Sequence, residues 1–497
     1  MPNSKPNVAI RRARRLLLAL VLCLGSAAPV GLGTVAGGAP ARATDAGATG
    51  SRATGSRATG SRVTGPDATG PDATGSDATG SDATGSDATG SDATGSDATG
   101  SDATGSDPTA VAGIPAAGGT ASSLTPAEGP AGEAFYVPPS PLPAGRPGDV
   151  IWYRKAEPVS VQGSTALDVG NAWQVLYLST DALDRPDAVS GMVLLPKEGS
   201  PENLPIIGFA PGTHGLDDRC ALSRRGTTWT DYESLAIAAL LNRGWAVALT
   251  DYEGLGTPGT HTYMVGRSQG AALLDVVRAA RGLPATGLSA AAPVALYGYS
   301  QGGGATGWAV ELQPSYAPEL PLRGAVAGGV PADLAAVQRK LDGGLGFAFL
   351  AMASLGLDAA YPELKLDAYL TPAGRAGMAE AAKVCTTEAL IRYAGKRISD
   401  YTTEDPLRTP EWQARVDQQR LGGRPPRVPV FLAHGLQDEF IPYDQAARLR
   451  QDWCAAGATV HWRDYLGEHA TTLAAMQSNA MDFVANRLAG RSVRSSC

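Results

Sequence analysis

Nowhere in the 497 residues does an uninterrupted apolar run reach the ~20 residues that a membrane-spanning helix needs. The longest such run, residues 16–24, is about half that length, so no transmembrane anchor is expected. A basic stripe is also missing. The formal charge is −7 even though residues 1–43 contain six basic side chains and no acid, which leaves an acidic remainder with nothing to hold nucleic acid or an anionic membrane. Cysteine is scarce, at 5 in the chain, and the spacings are far too wide for the CxxC pairs of a zinc site. Histidine is as scarce, also at 5, which narrows the search for a catalytic base.

The basic start (Lys5, Arg11, Arg12, Arg14, Arg15), the apolar run 16–24 and the small residues that follow read as a secretory signal peptide over 1–43. Ala39-Pro40-Ala41 and Ala41-Arg42-Ala43 are candidate cleavage sites. A lipid anchor on Cys23 is disfavoured, because Leu22 stands where a small residue is expected. Removal of the leader leaves four cysteines: Cys220, Cys385, Cys454 and Cys497. An even number in an oxidising compartment predicts two disulfides, and the sequence leaves all three pairings open. A Cys454–Cys497 bridge would staple the terminal segment to a preceding helix, and closing that loop would contribute about 4 kcal/mol.

From residue 48 to 107 the sequence repeats every five residues, as Ala-Thr-Gly-Ser-Asp and its variants, with Val63 the lone large apolar side chain. Such a segment cannot offset the entropy cost of folding, so 44–148 is expected to be a disordered spacer, with the folded domain over 149–497. The pattern then becomes short apolar runs alternating with longer helical stretches, the signature of a mostly parallel α/β sheet. Strands are expected at 171–180, 188–195, 204–210, 245–250, 293–297, 323–327, 428–433 and 459–465. Between about 330 and 427 the alternation lapses into a helical insertion, with the very apolar stretch 345–355 near its start, read as a cap over the site.

The strongest chemical signal is Gly298-Tyr299-Ser300-Gln301-Gly302, placed directly between an apolar strand and a helix-compatible stretch. That context predicts a nucleophile elbow, with glycines at 298 and 302 because a Cβ on either flank of the strained turn would collide with its neighbours. A second copy, Gly266-Arg267-Ser268-Gln269-Gly270, has only loop before it, so Ser268 is read as a decoy at a helix start. A serine hydroxyl needs a base and the base an orienting carboxylate, in the chain order serine, acid, histidine. Of His434, His461 and His469, the last follows the final strand on a loop and is taken as the base, with His434 its rival. Asp438, in the loop leaving the preceding strand, is taken as the acid, with Glu439 the alternative. The oxyanion donors are expected to be the N–H groups of Gln301 and Thr213, the latter in the loop Pro211-Gly-Thr-His214-Gly215. His214 precedes the serine and is treated as a loop or substrate-facing residue.

These residues resemble the secretory lipase family of α/β-hydrolases from about residue 145 to the end. The likeness rests on Gly212-Thr-His-Gly215 with Cys220 behind it, Asp251-Tyr-Glu-Gly-Leu-Gly256, the Gly-Tyr-Ser-Gln-Gly elbow, Gly435-Leu-Gln-Asp438 followed by Ile441-Pro442, and His469. The resemblance implies an α/β-hydrolase fold with helices on both faces, a helical lid between the sixth and seventh strands, and hydrolysis of triacylglycerols or other carboxylic esters. It also implies no metal or other cofactor, and pairing of Cys220 with Cys385 and Cys454 with Cys497. A secreted peptidase or acyltransferase with the same triad, or a non-catalytic binding protein of the same fold, are the competing expectations. The apolar cap favours lipid esters, with transient contact at a lipid interface.

Overall fold

The computed structural model describes residues 124–156, 169–225 and 232–497. The leader expected at 1–43 and the repeats expected at 48–107 lie outside the described residues. The strands are β1 (Ala127–Glu128), β2 (Val150–Ala156), β3 (Val169–Thr180), β4 (Pro186–Pro196), β5 (Ile206–Ala210), β6 (Ala246–Thr250), β7 (Val294–Tyr299), β8 (Leu322–Gly328), β9 (Val430–Gly435) and β10 (Val460–Tyr465). They form one sheet in the order β1-β2-β3-β4-β6-β5-β7-β8-β9-β10. The pairings β2–β3, β3–β4 and β4–β6 are antiparallel, while every pairing from β6 through β5 to β10 is parallel.

The inner parallel strands read as mostly apolar runs because both faces are covered, whereas the edge strand β10 carries His461, Arg463 and Asp464. On one face Ile206, Val294, Leu296, Val430 and Leu432 pack under the helices Gly266–Gly282, Gln301–Tyr316 and Tyr443–Ala455. On the other, Ile207, Phe209, Val247, Tyr297 and Phe431 meet the helices Ser234–Leu241 and His469–Leu488. Within that second layer the Phe209 and Tyr297 rings stack with centroids 5.7 Å apart. Period-two alternation therefore separates two cores rather than a core from solvent.

Between β8 and β9 lies a run of helices: Leu334–Leu341, Phe347–Ala360, Leu366–Tyr369, Pro372–Ala381, Thr386–Tyr393 and Pro410–Gln418. Counted from β3, those two strands are the sixth and seventh of the sheet. The helices share a core of their own built around Phe347, Leu350, Met352, Tyr393 and Trp412.

The folded region starts earlier than the expected boundary at 149. Residues 124–148, read as the end of the spacer, contribute β1, a short 3-10 helix (Gly132–Tyr136) and two fully buried rings, Phe135 and Tyr136. These rings pack on Ile151, Leu176 and Leu178. Phe135 O accepts the Trp152 indole N–H at 2.8 Å, and the Arg154 guanidinium lies 4.4 Å from the Phe135 ring centroid. Two aromatic anchors in a proline-rich stretch bury enough surface to order it, which composition alone conceals.

Candidate active site

β5 and β7 are neighbours, but the chain leaves β5 for β6 on one side before crossing to β7 on the other. This is the topological switch point of the sheet, where α/β folds open a crevice at the carboxyl ends of the strands. The loop after β5 carries Thr213, and Ser300 follows β7 directly. Asp438 and His469 stand after β9 and β10.

Ser300 adopts φ 60°, ψ −120°, a conformation that costs a non-glycine residue ~1–3 kcal/mol unless the surroundings impose it. They do so here. Its N–H donates to Gly328 O on the neighbouring strand at 2.9 Å, and its carbonyl accepts the Gly304 N–H at 3.0 Å. A Cβ on Gly298 would run into the Gly302 carbonyl, and one on Gly302 into the Ala210 carbonyl of β5. The two glycines are what lets strand, turn and helix close this tightly.

The second Gly-x-Ser-x-Gly has a different job. Ser268 is buried in the first turn of the helix Gly266–Gly282, and its hydroxyl donates to the Glu253 carboxylate. A Cβ on Gly266 would strike the Trp308 indole, and one on Gly270 would sit 2.9 Å from Ala309 N, so those glycines let this helix approach Gln301–Tyr316. Ser268→Ala should keep ester turnover within about threefold of the parent, since Thr262 also holds Glu253, at 2.9 Å. A loss as large as that from the Ser300 variant, in the same assay, would reject the assignment.

His469 Nδ1 and Asp438 Oδ2 are 2.6 Å apart. Asp438 Oδ1 accepts the backbone N–H groups of Phe440 (3.0 Å) and Ile441 (2.8 Å), so both carboxylate oxygens are committed. Burial alone would raise the Asp438 pKa, but the His469 ring and these donors outweigh it and hold it below the ordinary carboxylate range. Burial alone would lower the His469 pKa; Asp438, by charge and hydrogen bond, reverses that and raises it above the ordinary imidazole value. His469 also lies against Tyr299, with ring centroids 4.9 Å apart and the Tyr299 hydroxyl donating to His469 O at 2.6 Å. Among the described residues no hydrogen bond reaches the Ser300 hydroxyl; in unliganded hydrolases this contact commonly tightens only with substrate.

The rival residues have other partners. Glu439 accepts the backbone N–H of His469 at 2.9 Å and so caps the last helix instead of meeting the ring. His434, fully buried at the end of β9, donates Nε2–H to Ile441 O at 3.1 Å; burial lowers its pKa against the pull of Asp438, whose Oδ2 is 3.7 Å away, farther than from His469. His461 lies on β10 against Phe431 and Phe483. His214 Nδ1 donates to Gly212 O at 2.8 Å, with the ring stacked on Tyr232.

The loop after β5 runs along the elbow, close enough that a Cβ on Gly212 would be 3.3 Å from Tyr299 O. The Gly212 N–H is taken by Glu233 Oε1 at 2.6 Å. The Thr213 carbonyl accepts from Tyr232 OH (3.1 Å) and Thr386 Oγ1 (2.7 Å), and the Thr213 hydroxyl pairs with Tyr263 OH at 2.8 Å. Among the described residues, the N–H groups of Thr213 and Gln301 are claimed by no other hydrogen bond. Cys220 is bonded to Cys385 (2.02 Å) and Cys454 to Cys497 (2.00 Å), the pairing that the resemblance implies.

Ser300 and Gln301 line a mostly apolar cavity. Its other walls are mostly apolar: Leu334, Val337, Phe349, Leu350 and Leu357 from the insertion, Tyr263 and Met264 from the loop before the helix Gly266–Gly282, and Phe440 and Ile441 from the loop that holds Asp438, with Gln338 and Ser354 the polar exceptions. Thr213 and His469 are not among the lining residues. The sequence reading missed Glu233, Tyr263 and the buried His261, which it left as plain loop. With only five histidines in the chain, a buried one without a role was the available signal.

A family profile described as secretory lipase matches residues 220–496. A Mycobacterium tuberculosis protein named probable inactive lipase is 32% identical over 73% of this chain and 83% of its own length. A secreted triacylglycerol lipase of Malassezia furfur is 30% identical over 73% of this chain and 77% of its own. Among solved structures, lipase A of Candida antarctica superposes with a TM-score of 0.65 at 25% identity, covering 73% of this chain and 87% of that one. With the parallel sheet, the strained serine turn and these relatives together, the chain belongs to the secretory lipase family of α/β-hydrolases.

Proposed function

We propose that this chain is an exported carboxylic ester hydrolase acting on esters of long acyl chains, with Ser300, His469 and Asp438 as its triad. The observation that carries the reading is the mostly apolar cavity that Ser300 and Gln301 line. An acyl chain gains ~0.8 kcal/mol for each methylene it buries there, whereas a peptide backbone would leave its polar groups without partners.

Asp438 holds His469 with its Nδ1 proton directed at the carboxylate, which leaves Nε2 as the base. Nε2 takes the proton of Ser300 as its oxygen attacks the ester carbonyl. The N–H groups of Gln301 and Thr213 receive the charge on the carbonyl oxygen. His469 then gives its proton to the departing alcohol, and a water that it deprotonates releases the acid from Ser300. Export is supported by the leader pattern in residues 1–43 and by two disulfides. The name of the mycobacterial relative favours a second reading, a silent hydrolase head used for binding. Against it stand the strain kept at Ser300 and the committed Asp438–His469 pair, neither of which binding requires.

The test is hydrolysis of p-nitrophenyl esters from acetate to palmitate. kcat/KM should rise with chain length through at least the octanoate, as successive methylenes enter the cavity. Turnover confined to acetate and butyrate would reject the long-chain assignment, and none on any ester would move the reading to the binding protein or to a peptidase.

A further inference from the structure

We infer that His261 is a positioning residue for the oxyanion hole, and that one loop, from Tyr252 to Tyr263, aims both of its donors. The inference rests on the Ser300-centred reading above.

The backbone N–H of Gln301 is the oxyanion donor of the proposed mechanism, and its side chain meets His261 Nε2 at 2.9 Å. On the far side of the ring, His261 Nδ1 lies 2.8 Å from Glu253 O. A carbonyl can only accept, so Nδ1 carries the proton and Nε2 is left as the acceptor for the Gln301 amide. This arrangement needs a neutral ring. His261 is fully buried, and burial pulls its pKa down to about 4. The Glu253 end is fixed in turn, since the hydroxyls of Thr262 and Ser268 both donate to its carboxylate.

The same loop reaches the other donor. Tyr252, at φ 71°, stacks on His261 with ring centroids 5.8 Å apart and donates its hydroxyl to Pro211 O at 2.8 Å, two residues before Thr213. Tyr263 holds the Thr213 hydroxyl. The Ser300–Gln301 peptide is thus gripped at both ends, by Gly304 N–H on its carbonyl and by His261 through the Gln301 side chain. A donor held this way before charge develops costs no reorganisation when the oxyanion forms.

The test is a double-mutant cycle on ester hydrolysis with His261→Phe, which keeps a ring against Tyr252, and Gln301→Met, which keeps the length of the side chain. Active sites are counted by end-point fluorophosphonate labelling, and folding is followed by thermal unfolding. Each variant should lower kcat per labelled site by about 10- to 100-fold, part of what losing a whole oxyanion donor costs, with KM within about twofold. The double variant should be no worse than the poorer single one. Losses that multiply, a rise in KM at constant kcat, or a lower unfolding temperature with unchanged kcat would each overturn the assignment. If His261→Phe does not fold, Gln301→Met decides alone, and an unchanged kcat there overturns it. A parent protein without Ser300-dependent turnover overturns this inference together with the functional reading; an active parent with unaffected variants overturns this inference only.

Discussion

Replacing Ser300 by alanine should lower kcat on a p-nitrophenyl ester by roughly 10⁵-fold or more while leaving the unfolding temperature within a degree or two. In the proposed mechanism Ser300 is the one group for which nothing nearby can substitute. Ser268 is buried and tied to Glu253, in a different helix. What remains should be the water reaction at an intact oxyanion site, which neither labels with a fluorophosphonate nor shows a burst. Alanine at 300 inherits the φ of 60°, which the Gly328 and Gly304 hydrogen bonds impose through the backbone, so the fold should tolerate it. Residual activity within a hundredfold of the parent would mean that another residue attacks the ester.

Asp438→Asn should cost about 10³- to 10⁴-fold in kcat, for a reason that can be read from the hydrogen bonds. Oδ1 of Asp438 is held by two backbone donors, Phe440 and Ile441, so in the asparagine variant the amide oxygen must stay there. The amide NH₂ then faces His469 Nδ1, which has to become the acceptor, and the ring proton moves to Nε2, where it blocks the abstraction. In the parent, Asp438 raises the His469 pKa. Activity should therefore fall as pH is lowered through a value above the ordinary imidazole pKa of about 6.5, where His469 gains its proton. In the variant, burial is opposed by less charge, so the His469 pKa drops and the ring is neutral down to lower pH. Raising the pH should nonetheless restore nothing, because the neutral ring is the wrong tautomer. A pH–kcat profile in which alkali recovers the parent rate would show that Asp438 acts by charge alone.

Much of this architecture was legible in the sequence because the inner parallel strands are short and mostly apolar, so β5 to β9 stand out whichever face each residue serves. The elbow was legible for a similar reason. Two copies of one motif were separable by whether an apolar run came directly before them, and the structure gives the second copy a packing role at Trp308 and Ala309. Asp438 and His469 could be proposed because each follows a strand that was itself evident, and the two side chains lie 2.6 Å apart. The rest depends on contacts with no local trace. His261 and Gln301 are 40 residues apart, and nothing in the segment around His261 says that its ring will face the elbow. Glu233 reaches back 21 residues to Gly212 from the far side of a strand-to-helix connection. Phe135 and Tyr136 escaped notice because proline and glycine around them dominate the composition, although two large rings suffice to fasten the segment.

The bond between Cys220 and Cys385 has a mechanical meaning for the cap. Cys385 is the N-cap of the helix Thr386–Tyr393, and next to it Thr386 N–H donates to His214 O at 2.9 Å while its hydroxyl holds Thr213 O. One margin of the helical insertion is thereby riveted to the loop that presents Thr213. Phe349 from the insertion and Phe440 from the body meet edge to face, with centroids 5.3 Å apart, where they line the cavity. A covalent bond and two hydrogen bonds thus tie the loop that carries Thr213 to this margin of the insertion, so the two keep one register.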